Sequence, residues 1–107
     1  MGNVLAAAIF LFSLGVPSVN VRVEGARPDP GGVACHQDFR GRAGDAQHLC
    51  PEGFEGAVIY GFPSYDRALY LLAHETYHLT HTSFGPENDP FREAEAHAYG
   101  CRYSEVC

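Results

Sequence analysis

The chain has 107 residues, with 13 acidic and 7 basic side chains that give a formal net charge of −6. This length allows one small domain, and domains of this size commonly need disulfides, a bound metal or a partner for stability. The acidic balance and the lack of a basic stripe argue against a nucleic-acid partner, because phosphate binding depends on clustered positive charge.

The start of the chain is apolar. Residues 1–16 carry no charged side chain and contain the run Val4–Phe12. This run has the length of the hydrophobic region of a secretory signal and is too short to span a bilayer comfortably. Since Val16 and Ser18 suit positions −3 and −1 of a cleavage site, we predict a signal peptide over residues 1–18 and a secreted or extracytoplasmic domain over residues 19–107. No Lys or Arg precedes the run, so the alternative is a strand or helix buried in the fold.

Four cysteines, an even number in a short chain, predict two disulfides and agree with export. Three pairings are possible, of which Cys35–Cys50 with Cys101–Cys107 is the most local. The alternative is four free thiols in a cytosolic protein. No Cys-x-x-Cys spacing occurs, which argues against a cysteine-type zinc finger.

Two short segments have the pattern of strands. Val19–Glu24 alternates apolar with polar residues, and Ala57–Tyr60 is a short apolar run. Between them, the Pro and Gly content of Arg27–Gly32 predicts a loop. The segment Val33–Gly56 has little periodicity, so we expect it to be irregular.

Two helices are predicted in the second half of the chain. The first, Tyr65–Thr82, follows the capping residue Ser64 and is ended by Gly85-Pro86. The second begins at Asp89-Pro90 and runs to about Tyr103. Small residues in the second helix would let another helix approach closely: Ala94, Ala96, Ala98 and Gly100. The predicted fold class is therefore α+β, with two helices packed on a few short strands and loops held by disulfides.

The first helix contains the motif His-Glu-x-x-His, formed by His74, Glu75 and His78. On a helix, histidines four residues apart project from one face, so both imidazoles can reach one metal ion. Glu75 follows the first histidine and is placed to act as a general base on a zinc-activated water. The alternative is a helix with two histidines that are solvated or part of the core.

A zinc site needs a third protein ligand. The metzincin pattern fails, because its later glycine and histidine positions hold His81 and Phe84. The second helix offers Glu93 and His97, again four residues apart on one face. Glu93 is the first choice for the third ligand, His97 the second, and Glu95 or another residue the third.

This arrangement resembles that of the gluzincins, in which a Glu on a helix downstream of the His-Glu-x-x-His motif completes the zinc site. It is also similar to small actinobacterial secreted proteins in which a Glu-Ala-x-Ala helix follows such a motif. The likeness covers Ala68 to Cys101. It implies Zn²⁺ as the cofactor, His74, His78 and Glu93 as its ligands, and Glu75 as the general base. Where the gluzincins have Asp or Asn, this chain has His97, so a carboxylate that would orient a ligand histidine is missing.

The leading functional hypothesis is a secreted zinc metallopeptidase, a gluzincin-type endopeptidase that acts on a peptide or protein substrate. The edge of Ala57–Tyr60 would align an extended substrate by strand addition. The alternative is a non-catalytic secreted binding protein that is stabilised by zinc. A third hypothesis is a degenerate protein whose zinc site no longer functions. His97, at the position where the gluzincins have Asp or Asn, keeps this hypothesis open.

Overall fold

The computed structural model describes residues 2–25, 28–35, 50–81 and 89–107. Within these ranges the chain forms a small α+β domain, which confirms the predicted fold class. In chain order the elements are α1 (Gly2–Ser13), β1 (Val21–Glu24), β2 (Gly31–Cys35), β3 (Gly56–Tyr60), α2 (Tyr65–Thr80) and α3 (Asp89–Cys101).

The three strands form one sheet in the order β1-β3-β2. β1 runs parallel to β3 and β2 runs antiparallel to it, so β3 is hydrogen-bonded on both sides. Its residues are buried up to Ile59, as expected for a central strand. The hypothesis that the edge of Ala57–Tyr60 aligns a substrate by strand addition is therefore wrong, because both edges of this strand are already paired.

β2 occupies a place where the sequence predicts the end of a loop and the start of an irregular segment. Gly31 pairs with Tyr60 and Val33 with Val58, and the last three residues of the strand are buried. Two consecutive glycines have low strand propensity. The strand forms nevertheless, because pairing with β3 satisfies its backbone and packs Val33 and Cys35 against Val58.

Helix α2 begins where the sequence predicts. The Ser64 hydroxyl accepts a hydrogen bond from the Arg67 amide at 3.2 Å, which satisfies one of the free amides of the first turn. The helix ends at Thr80, two residues earlier than predicted, and His81 is its C-cap. Gly85-Pro86, the predicted stop signal, lies outside the described residues. The buried face of α2 packs on the sheet and on α1: Ala68, Leu69, Leu71, Leu72, Ala73, Glu75 and Thr76.

The apolar start of the chain forms α1, which packs against α2. Its buried residues Val4, Ala7 and Leu11 follow a helical period and lie on one stripe. The Asn3 side chain also donates a hydrogen bond to the Pro63 carbonyl at 3.2 Å, next to the start of α2. Cleavage after Ser18 stays a prediction. Among the helices of the described residues, none has both the length and the apolar character needed to cross a membrane.

The four cysteines form two disulfides in the most local of the three possible pairings. Cys35–Cys50 closes a separation of 15 residues and fixes the end of β2. Cys101–Cys107 ties the end of α3 to the end of the chain.

Helix α3 packs closely on α2, as its small residues predict. Ala96 and Gly100 are buried. A Cβ atom at Gly100 would lie 2.8 Å from Cδ1 of Tyr70 and 3.0 Å from its carbonyl oxygen, so only glycine allows this approach. Ala94 and Ala98, by contrast, are exposed. The close contact brings the next turn of α2, which carries the motif, opposite the side chain of Glu93.

Candidate metal centre

The two motif histidines lie on one face of α2, one turn apart. The ring centroids of His74 and His78 are 5.0 Å apart, and both side chains are largely buried. Their Nε2 atoms point toward α3, where each meets the same carboxylate oxygen. The helical spacing therefore produces the pair of converging imidazoles that the sequence predicts.

That oxygen belongs to Glu93. Its Oε1 atom is 3.4 Å from Nε2 of His74 and in direct hydrogen-bond contact with Nε2 of His78. The three candidate ligand atoms all lie within 4.8 Å of one another. Hydrogen bonds from His74 and then His78 hold the pKa of Glu93 well below its ordinary value, so its carboxylate is ionised and able to bind a cation.

The spacing of these atoms can be compared with what zinc requires. Ligands about 2.0–2.1 Å from a tetrahedral ion lie roughly 3.3 Å from one another. The separation of 3.4 Å between Nε2 of His74 and Oε1 of Glu93 matches this edge. Two imidazoles and one carboxylate form a donor set that suits zinc and leaves a fourth position open.

One feature of the centre is incomplete. Nδ1 of His74 is buried and has no hydrogen-bond partner among the described residues. A metal-binding histidine usually donates this second nitrogen to a carboxylate or carbonyl, which fixes its tautomer and orientation.

Glu75 is buried between α2 and the sheet, with only 6% of its surface exposed. Its Cγ and Oε2 atoms lie close to Gly32 on β2. Burial raises the pKa of the Glu75 carboxyl from 4.5 to about 7; the nearby His74 lowers it and Glu93 raises it. A carboxyl group that gains and loses a proton near neutral pH is suited to general acid–base chemistry.

No family model matches this chain, and neither a curated protein nor a solved structure is detectably similar to it. The gluzincin resemblance therefore rests on the motif residues of α2 and α3 and stays a prediction.

His97, the second choice for the third ligand, lies in a different cluster. Its Nδ1 atom is hydrogen-bonded to the Tyr70 hydroxyl at 2.6 Å, and its Nε2 atom is 3.5 Å from Sγ of Cys101. His97, Cys101 and Cys107 are also close enough to hold an ion, but the two sulfur atoms are bonded to each other and are not thiolate ligands.

The remaining candidates point away from the centre. Glu95 accepts hydrogen bonds from Arg92, at 2.7 Å, and from the Tyr77 hydroxyl. His81 stacks on the ring of Tyr77 with 3.8 Å between centroids, and its Nδ1 atom is 2.8 Å from the Tyr77 carbonyl oxygen. The structure therefore groups His74 and His78 with Glu93 and with none of these residues.

Tyr70 and Gly32 also belong to this region, although neither is part of the motif. Tyr70 lies one turn before His74, with 5.5 Å between ring centroids, and its hydroxyl bonds His97. Its spacing of four residues from His74 was a usable signal. Gly32 offered no such signal, because its proximity to Glu75 depends on how the sheet packs against α2.

Proposed function

We propose that this chain is a zinc-dependent peptidase, with His74, His78 and Glu93 as zinc ligands and Glu75 as general base. The observation that carries the proposal is the convergence of three suitable ligand atoms from two helices beside a buried carboxyl group with a raised pKa.

In the proposed reaction, a zinc ion held by His74, His78 and Glu93 would supply Lewis acidity, which would polarise the peptide carbonyl and lower the pKa of water. Glu75 accepts the proton of the attacking water and then delivers it to the leaving amine nitrogen. Both steps need a single group that takes up the proton and releases it again within one cycle, which a carboxylate can do. The Glu93 side chain is 62% exposed, so the group of ligand atoms is open to solvent on the side of Glu93.

A non-catalytic zinc site that joins α2 to α3 is the competing function. Such a site has no use for Glu75. Burying an ionisable carboxyl away from water disfavours its charged form, and here the pKa rises to about 7. Keeping this residue in the interior next to His74 is easier to understand if its proton takes part in a reaction.

The proposal is tested with the purified full chain, loaded with zinc and incubated with an unfolded protein such as casein. We expect hydrolysis that stops after treatment with a zinc chelator and returns when zinc is added back, with circular dichroism confirming that the chain remains folded. Hydrolysis that continues in the presence of the chelator would point to a contaminating enzyme. Absence of cleavage by folded, zinc-loaded protein would contradict the proposed function.

A further inference from the structure

Gly32 lies on β2 directly opposite Glu75. A Cβ atom at this position would be 3.1 Å from each of Cγ and Oε2 of Glu75, and 3.1 Å from Cδ1 of Ile59. These separations are tighter than ordinary van der Waals contacts. The backbone of Gly32 is not in the left-handed region, so conformation does not require a glycine here. The requirement is for space, and part of that space is taken by the Glu75 side chain.

We infer that Gly32 is a positioning residue: because it has no side chain, the backbone of β2 leaves space for the Glu75 carboxyl group and limits where that group can lie. This inference rests on the proposed function, because it assigns a catalytic consequence to the contact. The backbone of β2 is fixed at two places: Gly32 pairs with Ile59 of the buried central strand, and the Cys35–Cys50 disulfide fixes the end of β2. The position of the general base is therefore set by the sheet as well as by α2.

A side chain at position 32 would press on Glu75 and on Ile59, which are both buried, so the Glu75 carboxyl group would have to shift. Errors of about 1 Å in the placement of a reacting group can lower a rate by roughly a hundredfold. At 3.1 Å the neighbours need to move by only a few tenths of an ångström, so we expect Gly32→Ala to lower kcat by about three- to tenfold, with KM and zinc content unchanged. Gly32→Val should lower kcat further. Gly32 supplies no zinc ligand, so the fall in kcat should not be caused by loss of bound zinc.

The matched control is Gly31→Ala in the same strand. A Cβ atom at Gly31 would collide with the ring of Tyr60, not with Glu75. The nearest atom to this Cβ is the Tyr60 hydroxyl oxygen, and the clash is closer than the 3.1 Å contacts at Gly32, so the variant disturbs β2 at least as much as Gly32→Ala does. Because the disturbance is not at Glu75, kcat per folded molecule should stay within about twofold of the parent. An equal loss of kcat in both variants would overturn the inference, because it would reflect general damage to the strand.

A second measurement tests the contact without relying on catalysis. The melting temperature is compared for the parent, Gly32→Ala, Glu75→Ala and the double variant. We expect Gly32→Ala to lower Tm by roughly 5–15 °C when Glu75 is present and by much less when Ala replaces it. If Gly32→Ala folds only when Glu75 is also replaced by Ala, that result supports the contact as well.

The two measurements separate the possible failures. Additive changes in Tm would overturn the contact between Gly32 and Glu75. A normal kcat in Gly32→Ala would overturn its positioning role. An inactive parent chain that still shows the coupling in Tm would contradict the proposed function and leave the contact standing.

Discussion

Replacing Glu75 by Gln is expected to lower the rate of peptide hydrolysis by roughly 10³-fold while the zinc content stays at the parent level. Gln has nearly the same shape as Glu but cannot accept the proton of the attacking water. Glu75 is not one of the proposed zinc ligands, which are His74, His78 and Glu93, so zinc binding should not depend on it. Casein hydrolysis and zinc analysis on the same preparation check both halves of this prediction.

The fold should tolerate this change. Because burial raises the pKa of Glu75 to about 7, the parent chain holds a partly ionised carboxyl in its interior at neutral pH. A neutral amide removes that charge, so the melting temperature should stay the same or rise. The exposed residue Glu52 provides a control, since Glu52→Gln makes the same chemical change at the surface. Parent-like activity in Glu75→Gln would refute the mechanism.

Removing the Glu93 carboxylate is expected to weaken zinc binding at least a hundredfold, since it takes away one of three protein ligands. Its Oε1 atom lies 3.4 Å from Nε2 of His74, near the edge length of a zinc tetrahedron. The loss should appear in a competitive zinc titration of Glu93→Ala. Peptide hydrolysis at limiting zinc should fall in parallel.

Two neighbouring residues on α3 are controls for this titration. His97 is hydrogen-bonded to Tyr70, and Glu95 is paired with Arg92, so neither contacts the proposed ion. His97→Ala and Glu95→Ala should each bind zinc within a few-fold of the parent. If His97→Ala loses zinc and Glu93→Ala keeps it, His97 is the third ligand and the assignment of Glu93 is wrong.

The parts of this molecule that depend on local sequence were predictable. The Ser64 cap, the start of α2, the face shared by His74 and His78 and the apolar strand β3 all follow from neighbouring residues. The local disulfide pairing was the most economical of three possibilities, although spacing alone did not select it. Glu93 was predicted from its place on the second helix, and the structure brings it to both histidines.

The parts that were missed depend on contacts between distant residues. The glycines of β2 resemble a loop when considered alone, and only pairing with β3 makes them a strand. For the same reason, sequence could not tell that β3 is central and has no open edge. The bond between Tyr70 and His97 and the approach of Gly32 to Glu75 arise from how α3 and the sheet pack against α2.

The most direct test of the metal centre is the zinc content of the chain, purified without added metal and compared with that of His78→Ala. We predict one zinc per parent chain and none in the variant, with both proteins folded by circular dichroism. This result would establish the site on which the peptidase proposal depends. A folded parent chain that contains no zinc and takes up none on titration would contradict the account.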